Sequence, residues 1–201
     1  MQIAVLGAGN IGGTIGAKWA KAGHTVRFGM RDPQKADVQA LVKSLGANAS
    51  AVSIAEAIKA SDVVLFAVPG NAAEDTAKAN AQALDGKILI DATNNMRGAT
   101  TNAAESLVRI APKASVYRTF NFYGWENFQN PTYGGVQADL FYVGTDGDAR
   151  KSVEQLISDV GLRPIYVGGI DQVGLLDNLL RLWFTLSGSR GRHLAFKVLS
   201  D

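Results

Sequence analysis

AVLGAGNIGGTIG, residues 4–16, holds three glycines at the spacing Gly7-x-Gly9-x-x-Gly12. The apolar run Ile3–Leu6 before it reads as a strand. The segment Ile11–Ala22 after it has helical spacing, with Ile11, Ile15 and Trp19 on one face. The spacing alone is weak evidence; a strand before it and a helix after it make it specific. Gly7 permits the tight turn, Gly9 has no side chain to hold a pyrophosphate away from the backbone, and Gly12 lets helix and strand pack closely. Backbone amides and the positive end of the helix dipole then face the phosphates. A plain strand–helix turn is the alternative, and the context favours a dinucleotide site.

Working outward, strand-like and helix-like segments alternate. After the Gly23-His24 turn, Thr25–Phe28 reads as a strand and Asp37–Leu45 as a helix stopped by Gly46. Ser53-Ile54-Ala55-Glu56 fits a capping box. Asp62–Val68 is a nearly continuous apolar run, the pattern of a strand covered on both faces, and Pro69-Gly70 stops it. Ala72–Leu84 and Thr101–Ile110 read as helices, with strands at Lys87–Ile90, Val116–Phe120 and Leu140–Val143. Ser152–Val160 is a helix closed by Gly161, Arg163–Val167 a further strand, and Gln172–Leu199 mainly helical with a break at Ser187-Gly188-Ser189. Asn121–Gln137 is the one long irregular stretch. The expected fold class is α/β: a Rossmann-type doubly wound, mainly parallel sheet with a small C-terminal helical region. The expected organisation is an NADP-binding domain over 1–170 and a helical segment over 171–201 serving dimerisation or the acceptor site.

The next informative stretch is VRFGMRDPQK, residues 26–35. An NAD-binding chain carries a carboxylate where this second strand ends, to accept from the ribose hydroxyls; its replacement by arginine accommodates a 2′-phosphate. Here Gly29 and Met30 leave space, Arg31 offers a bidentate fork and Lys35 a second positive charge. Asp32 is read as a helix cap, with Pro33 at the first helical position. NADP(H) is therefore the expected coenzyme.

Composition narrows the rest. The chain has 201 residues, 47% hydrophobic and 19% charged, with net charge +2, an ordinary globular balance without a nucleic-acid signature. With no cysteine, disulfides, thiolate catalysis and thiolate metal sites are excluded. His24 and His193 are far apart and form no recognisable metal motif. A strand begins almost at residue 1 and no apolar run reaches membrane-span length, so a cytoplasmic protein without membrane contact is expected.

At this point the chain resembles the F420-dependent NADP oxidoreductases, small reductases that pass hydride between NADPH and the deazaflavin F420. The resemblance covers nearly the whole chain. It rests on IAVLGAGNIGGTIG, GMRDPQK, VVLFAVPGNAAED, FYVGTDGDARKSVEQLISDVGLRPIYVGGIDQ and the ending RGRHLAFKVL. It implies Gly7, Ala8, Gly9, Asn10 and Ile11 around the pyrophosphate, and Met30, Arg31 and Lys35 around the 2′-phosphate. It implies Ala67-Val68-Pro69 near the nicotinamide ribose and ring, and a homodimer with acceptor sites near the interface. Where archaeal members carry a histidine-containing loop, this chain has Arg118–Tyr123. Its Phe-Asn pair is closer to the bacterial branch and to the cytosolic reductase domain of membrane ferric reductases, which use flavin.

Hydride transfer needs little acid–base machinery, so the lack of a Ser-His-Asp or Tyr-Lys constellation is consistent with it. No catalytic residue is assigned. The candidates to line a slot for a small-molecule acceptor (F420, FMN or FAD) are Asn94, Asn95, Asn121, Phe122 and Tyr123, with Pro69 and Trp125 beside them. For Phe122 and Trp125 an ordinary core or dimer role weighs evenly against this. His193 with Arg190 and Arg192 could meet an acidic tail or phosphate; a solvated face or subunit contact is the blander reading. LLDNLLRLWFTL carries large apolar residues around the whole helix, the pattern of a buried helix. The rival functions are a ferric, imine or small-carbonyl reductase, and a non-catalytic NADP-sensing module.

Overall fold

The glycine-rich turn joins β1 (Gln2–Leu6) to α1 (Asn10–Lys21) in the computed structural model, which describes residues 1–200. The chain continues through β2 (Thr25–Met30), α2 (Ala36–Leu45), β3 (Ala49–Ser53), α3 (Ile54–Lys59), β4 (Val63–Phe66), α4 (Gly70–Ala79), α5 (Ala81–Leu84), β5 (Ile88–Asp91), α6 (Ala104–Ile110) and β6 (Ser115–Arg118). There follow α7 (Trp125–Gln129), β7 (Thr132–Tyr133), β8 (Val136–Gln137), β9 (Asp139–Gly144), α8 (Ala149–Val160), β10 (Arg163–Gly168) and α9 (Val173–Arg190).

Eight strands form one sheet in the order β10-β9-β6-β5-β4-β1-β2-β3. The six from β3 to β6 are parallel, in the order of a doubly wound dinucleotide fold. β9 runs antiparallel to β6, with Arg118 opposite Val143, and β10 parallels β9. Alternate residues of β1 feed two apolar layers. Ile3 and Val5 join Ile15, Trp19, Leu156 and Trp183 on one face, and Ala4 and Leu6 join Ile58, Ala77 and Leu107 on the other. The expected Rossmann-type, mainly parallel α/β fold is thus the observed one.

Local signals held where a side chain enforces them. Ser53 Oγ accepts the Glu56 N–H while Glu56 accepts from the Ser53 N–H, a reciprocal capping box that starts α3. Other expectations need correction. The strand β3 was not foreseen, because its sequence ASAVS is small and half-buried. The helix expected over Ala72–Leu84 is two helices meeting at Asn80, whose Nδ2 donates to Thr76 O. Asp32 does not cap a helix: its Oδ1 accepts the Gln34 N–H in a local turn, and α2 begins only at Ala36. The stretch Asn121–Gln137 is not wholly irregular, since it contains α7 and the β7–β8 hairpin turned by Gly134 and Gly135 at positive φ.

The C-terminal reading changes most. α9 runs through Ser187-Gly188-Ser189 without a break, because the Ser187 and Ser189 hydroxyls donate to Phe184 O and Leu186 O three residues back and stay within the helix. It ends at Gly191 (φ +81°), and the chain to residue 200 is not helical. That terminal segment packs back: the Trp183 indole donates to Leu194 O, the Asp139 N–H to Phe196 O, and the Phe196 ring stacks on Tyr123. Nor is α9 buried all round. Val173, Leu176, Leu180 and Trp183 are covered, whereas Leu175, Leu182 and Phe184 are 47%, 46% and 46% exposed. Among the described residues no helix is long and apolar enough to cross a membrane, and no group of three His, Asp or Glu could hold a metal ion.

Candidate coenzyme site

A cleft of about 750 Å³ opens at the carboxyl ends of β1, β2 and β4. Gly7–Ile11, Met30, Arg31 and Ala67–Pro69, all anticipated from sequence, line it. Gly29 shares the wall, as do Ile54, Asn71, Ala72 and Thr76, which were not anticipated. Ala72 and Thr76 are one turn apart on α4, so extending the Ala67–Pro69 segment at helical spacing would have found them.

The three glycines do different work. Gly7 sits at φ +100°, and a Cβ there would come 2.7 Å from Ala67 O. A Cβ on Gly12 would lie 2.0 Å from Gly7 O, so this residue, which does not line the cleft, sets the strand–helix approach. A Cβ on Gly9 would meet nothing within 4 Å. Gly9 lines the cleft, so the space above it is open. No side-chain cap closes the start of α1 and no acid occupies its first turn, so the amide dipoles face the cleft unopposed. The residues therefore suit a pyrophosphate.

Arg31 is exposed on the cleft wall just after β2, and its side chain makes no hydrogen bond or ion pair among the described residues. Lys35 is not on the wall. It pairs with Asp37 at 2.8 Å, which raises the Lys35 ammonium above its usual range. The structure thus brings Arg31, and not Lys35, to the cleft.

The acceptor-slot candidates part ways. Phe122 is fully buried among Tyr123, Phe141 and Phe196. Tyr123 is buried too; its hydroxyl donates to Asp139 O and accepts the Phe196 N–H, both at 2.8 Å. Burial pushes its phenol well above the usual range. Both belong to the core, so neither faces a slot. Asn121 is buried, with Nδ2 toward Leu176 O and Oδ1 unpartnered. Trp125 starts α7. Asn94 and Asn95 do not line the cleft; their shared peptide packs against Gly70 at the head of α4, between the lining residues Pro69 and Asn71. His193 stacks on Tyr133 and meets Asn130 O, while Arg192 pairs with Glu126, so this group is tied to the α7–β8 region.

One feature escaped the sequence reading. Arg118, the last residue of β6, is fully buried between Asp91 and Asp177. These residues lie 27 and 59 positions from it, and no spacing rule connects them.

Residues 2–95 match the family described as NADP oxidoreductase, coenzyme F420-dependent. Over that segment, just under half of its length, the chain is similar to the F420-dependent NADP oxidoreductase family. A crystal structure from Arthrobacter sp. FB24, provisionally described as an F420-dependent NADP-reductase, superposes over 100% of both chains with a TM-score of 0.87 and 26% identity. The glycerol-3-phosphate dehydrogenase [NAD(P)+] of Pseudomonas fluorescens Pf0-1 is 30% identical over 125 residues, which is 57% of this chain and 35% of that protein. The chain spans about a third of the length of the curated relatives it matches. A reductive aminase from Aspergillus terreus, solved with NADPH and ethyl levulinate, shares the fold at a TM-score of 0.62 and 21% identity, covering 92% of this chain and 63% of that one. The family match and these relatives make the chain similar to NAD(P)-dependent oxidoreductases.

Proposed function

We propose that the protein is an NADP(H)-dependent reductase that passes hydride between NADPH and a deazaflavin (F420) or flavin acceptor. The observation that carries the coenzyme choice is Arg31: a guanidinium without a partner among the described residues, on the cleft wall where β2 ends, with the neighbouring Asp32 carboxylate engaged in its own turn. The Arthrobacter relative, similar over its full length, supports the acceptor class.

In this reading the bound coenzyme supplies the hydride, and the protein supplies position. The amides at the start of α1 face the pyrophosphate, and Gly9 lets the backbone approach it. Arg31 neutralises the 2′-phosphate through a charge-assisted fork. Pro69 and Asn71 wall the far side, on which the nicotinamide would lie, with the Asn94–Asn95 peptide packed behind them on Gly70.

The test is direct. The protein is mixed with NADPH and, in turn, F420, FMN, FAD and a ferric chelate, and absorbance at the reduced-nicotinamide band is followed. Oxidation with F420 or a flavin supports the proposal. Oxidation with the ferric chelate alone moves the acceptor to iron, and NADPH binding with no turnover favours a sensing module.

The exposed Leu175 and Leu182 border an apolar hollow of about 420 Å³ shared with Phe141, Val167 and Leu179. We assign this face to a second copy of the chain, since exposed apolar patches of this kind mark contact surfaces. Light scattering should give a dimer mass; a clean monomer removes the assignment.

A further inference from the structure

All five N–H groups of Arg118 are used inside the protein. Nε and Nη2 donate to Asp177 Oδ1 at 2.9 and 2.7 Å, and Nη1 donates to Asp91 Oδ2 and Thr93 O, each at 2.8 Å. Nη2 also donates to Asn94 Oδ1 at 3.0 Å. The two carboxylates do more than neutralise it. Asp91 Oδ1 accepts from Thr93 N–H and its hydroxyl, and Oδ2 accepts the Ala103 N–H. Asp177 Oδ2, on α9, accepts from Asn102 Nδ2 at 3.0 Å.

These bonds converge on the loop from Ala92 to Ala103. Its first residues are held by Asp91 and Arg118, and its last by Asp91 and Asp177. Asn94 is spent in the same lock, with Oδ1 on Arg118 and Nδ2 donating to Asn121 O at 2.7 Å. Asn95 is different. Its carboxamide makes no hydrogen bond among the described residues, is half-exposed, and lies over Gly98 of the same loop, where a Cβ would come 2.1 Å from its Nδ2. The Asn94–Asn95 peptide is pressed so closely onto α4 that a Cβ on Gly70 would lie 2.5–2.6 Å from its atoms. Gly70 itself stands between Pro69 and Asn71, both on the cleft wall.

A buried arginine with two carboxylates is an expensive way to fill a core, since apolar residues of similar volume commonly serve stability as well or better. What such a cluster does provide is a single geometry for everything hydrogen-bonded to it. Direction follows from the fold. With the adenosine end at Arg31 and the pyrophosphate over Gly9, a dinucleotide in this crevice continues across the carboxyl ends of β4 and β5, toward Asn95.

We propose that Asn95 contacts the nicotinamide half of the coenzyme, and that Arg118 is the positioning residue that holds it there by locking the Ala92–Ala103 loop to β6 and α9. The inference rests on the coenzyme reading above.

Two measurements test it. In coenzyme-free protein, amide exchange of residues 93–103 is compared among the wild type, Asn102→Ala and Asp177→Asn. Exchange in the loop should accelerate about tenfold while amides of β1 and β4 keep their rates. Calorimetry then compares NADPH with 2′,5′-ADP, which carries only the adenosine half. Asn95→Ala and Asp177→Asn should weaken NADPH about tenfold and leave 2′,5′-ADP within about twofold. Unchanged loop exchange overturns the lock. Unchanged NADPH affinity, or equal losses for both ligands, overturns the role of Asn95. A wild type that binds neither ligand overturns the coenzyme reading and the role of Asn95 with it, while the exchange result still decides the lock separately.

Discussion

Arg163 grips Asp139 with two parallel hydrogen bonds, Nε to Oδ1 and Nη2 to Oδ2, each 2.7 Å long. The fully buried carboxylate also accepts from Lys197 Nζ at 3.0 Å and from the Val198 N–H at 2.7 Å. One side chain thus ties β9, β10 and the C-terminal segment together, and closes the aromatic layer around Phe122 and Tyr123 from outside.

Acid should release this tie. Burial pushes the Asp139 carboxyl up, but hydrogen bonds from Arg163, Val198 and Lys197 outweigh it and hold the group below the usual carboxylate range. A group whose folded pKa is depressed binds its proton more readily when unfolded. Its stabilisation is therefore full above the unfolded value of about 3.9 and drains as pH falls through the folded one. Denaturant melts across pH 2–7 should show this loss. Asp139→Asn should cost about 2 kcal/mol at pH 7 and flatten the acid limb; an acid limb as steep as wild type's would refute the assignment.

Gly9 and Gly12 should separate folding from binding. Gly9→Ala adds a methyl into open cleft, so the melting temperature should stay within about 2 °C while NADPH affinity falls at least about tenfold. Gly12→Ala drives a methyl into Gly7 O and should cost about 3 kcal/mol or more. Thermal melts and calorimetry on both variants check the pair; a destabilised Gly9→Ala that still binds would reverse the roles.

Arg31→Ala should weaken NADPH binding about ten- to hundredfold, the worth of one charge-assisted contact, and barely alter NADH. Calorimetric titration with both coenzymes decides it, and equal losses would show that the guanidinium does not meet the 2′-phosphate.

Tyr123 and Phe122 should behave as core. Phe122→Ala should lose about 3–5 kcal/mol of stability. Tyr123→Phe should lose about 1–3 kcal/mol, because Asp139 O and the Phe196 N–H lose a partner. The pH profile of NADPH oxidation should not change in Tyr123→Phe; a shifted profile would return this phenol to the chemistry.

The contrast between Asp32 and Asp91 shows what could be read in advance. Asp32-Pro33 looked like a helix start from neighbouring residues, yet its carboxylate closes a turn and the helix begins later. Asp91 gave no signal at all, because its partners Ala103, Arg118 and, through Arg118, Asp177 meet only when β5, β6 and α9 come together. Ser187-Gly188-Ser189 misled for a local reason: the hydroxyls donate three residues back within α9, and the helix ends only at Gly191.

The sequence by itself determined the half of this protein that forms the cleft. Gly7, Gly9 and Gly12, the strand before them, the helix after them and Arg31 act over a few residues, and backbone sterics and a local dipole impose their consequences on any chain that contains them. Tertiary structure alone decided the other half, from β5 to the C-terminus. Which asparagine stays free, which aromatic is core and which face of α9 is left open depend on contacts between residues tens of positions apart, and no local periodicity encodes those meetings.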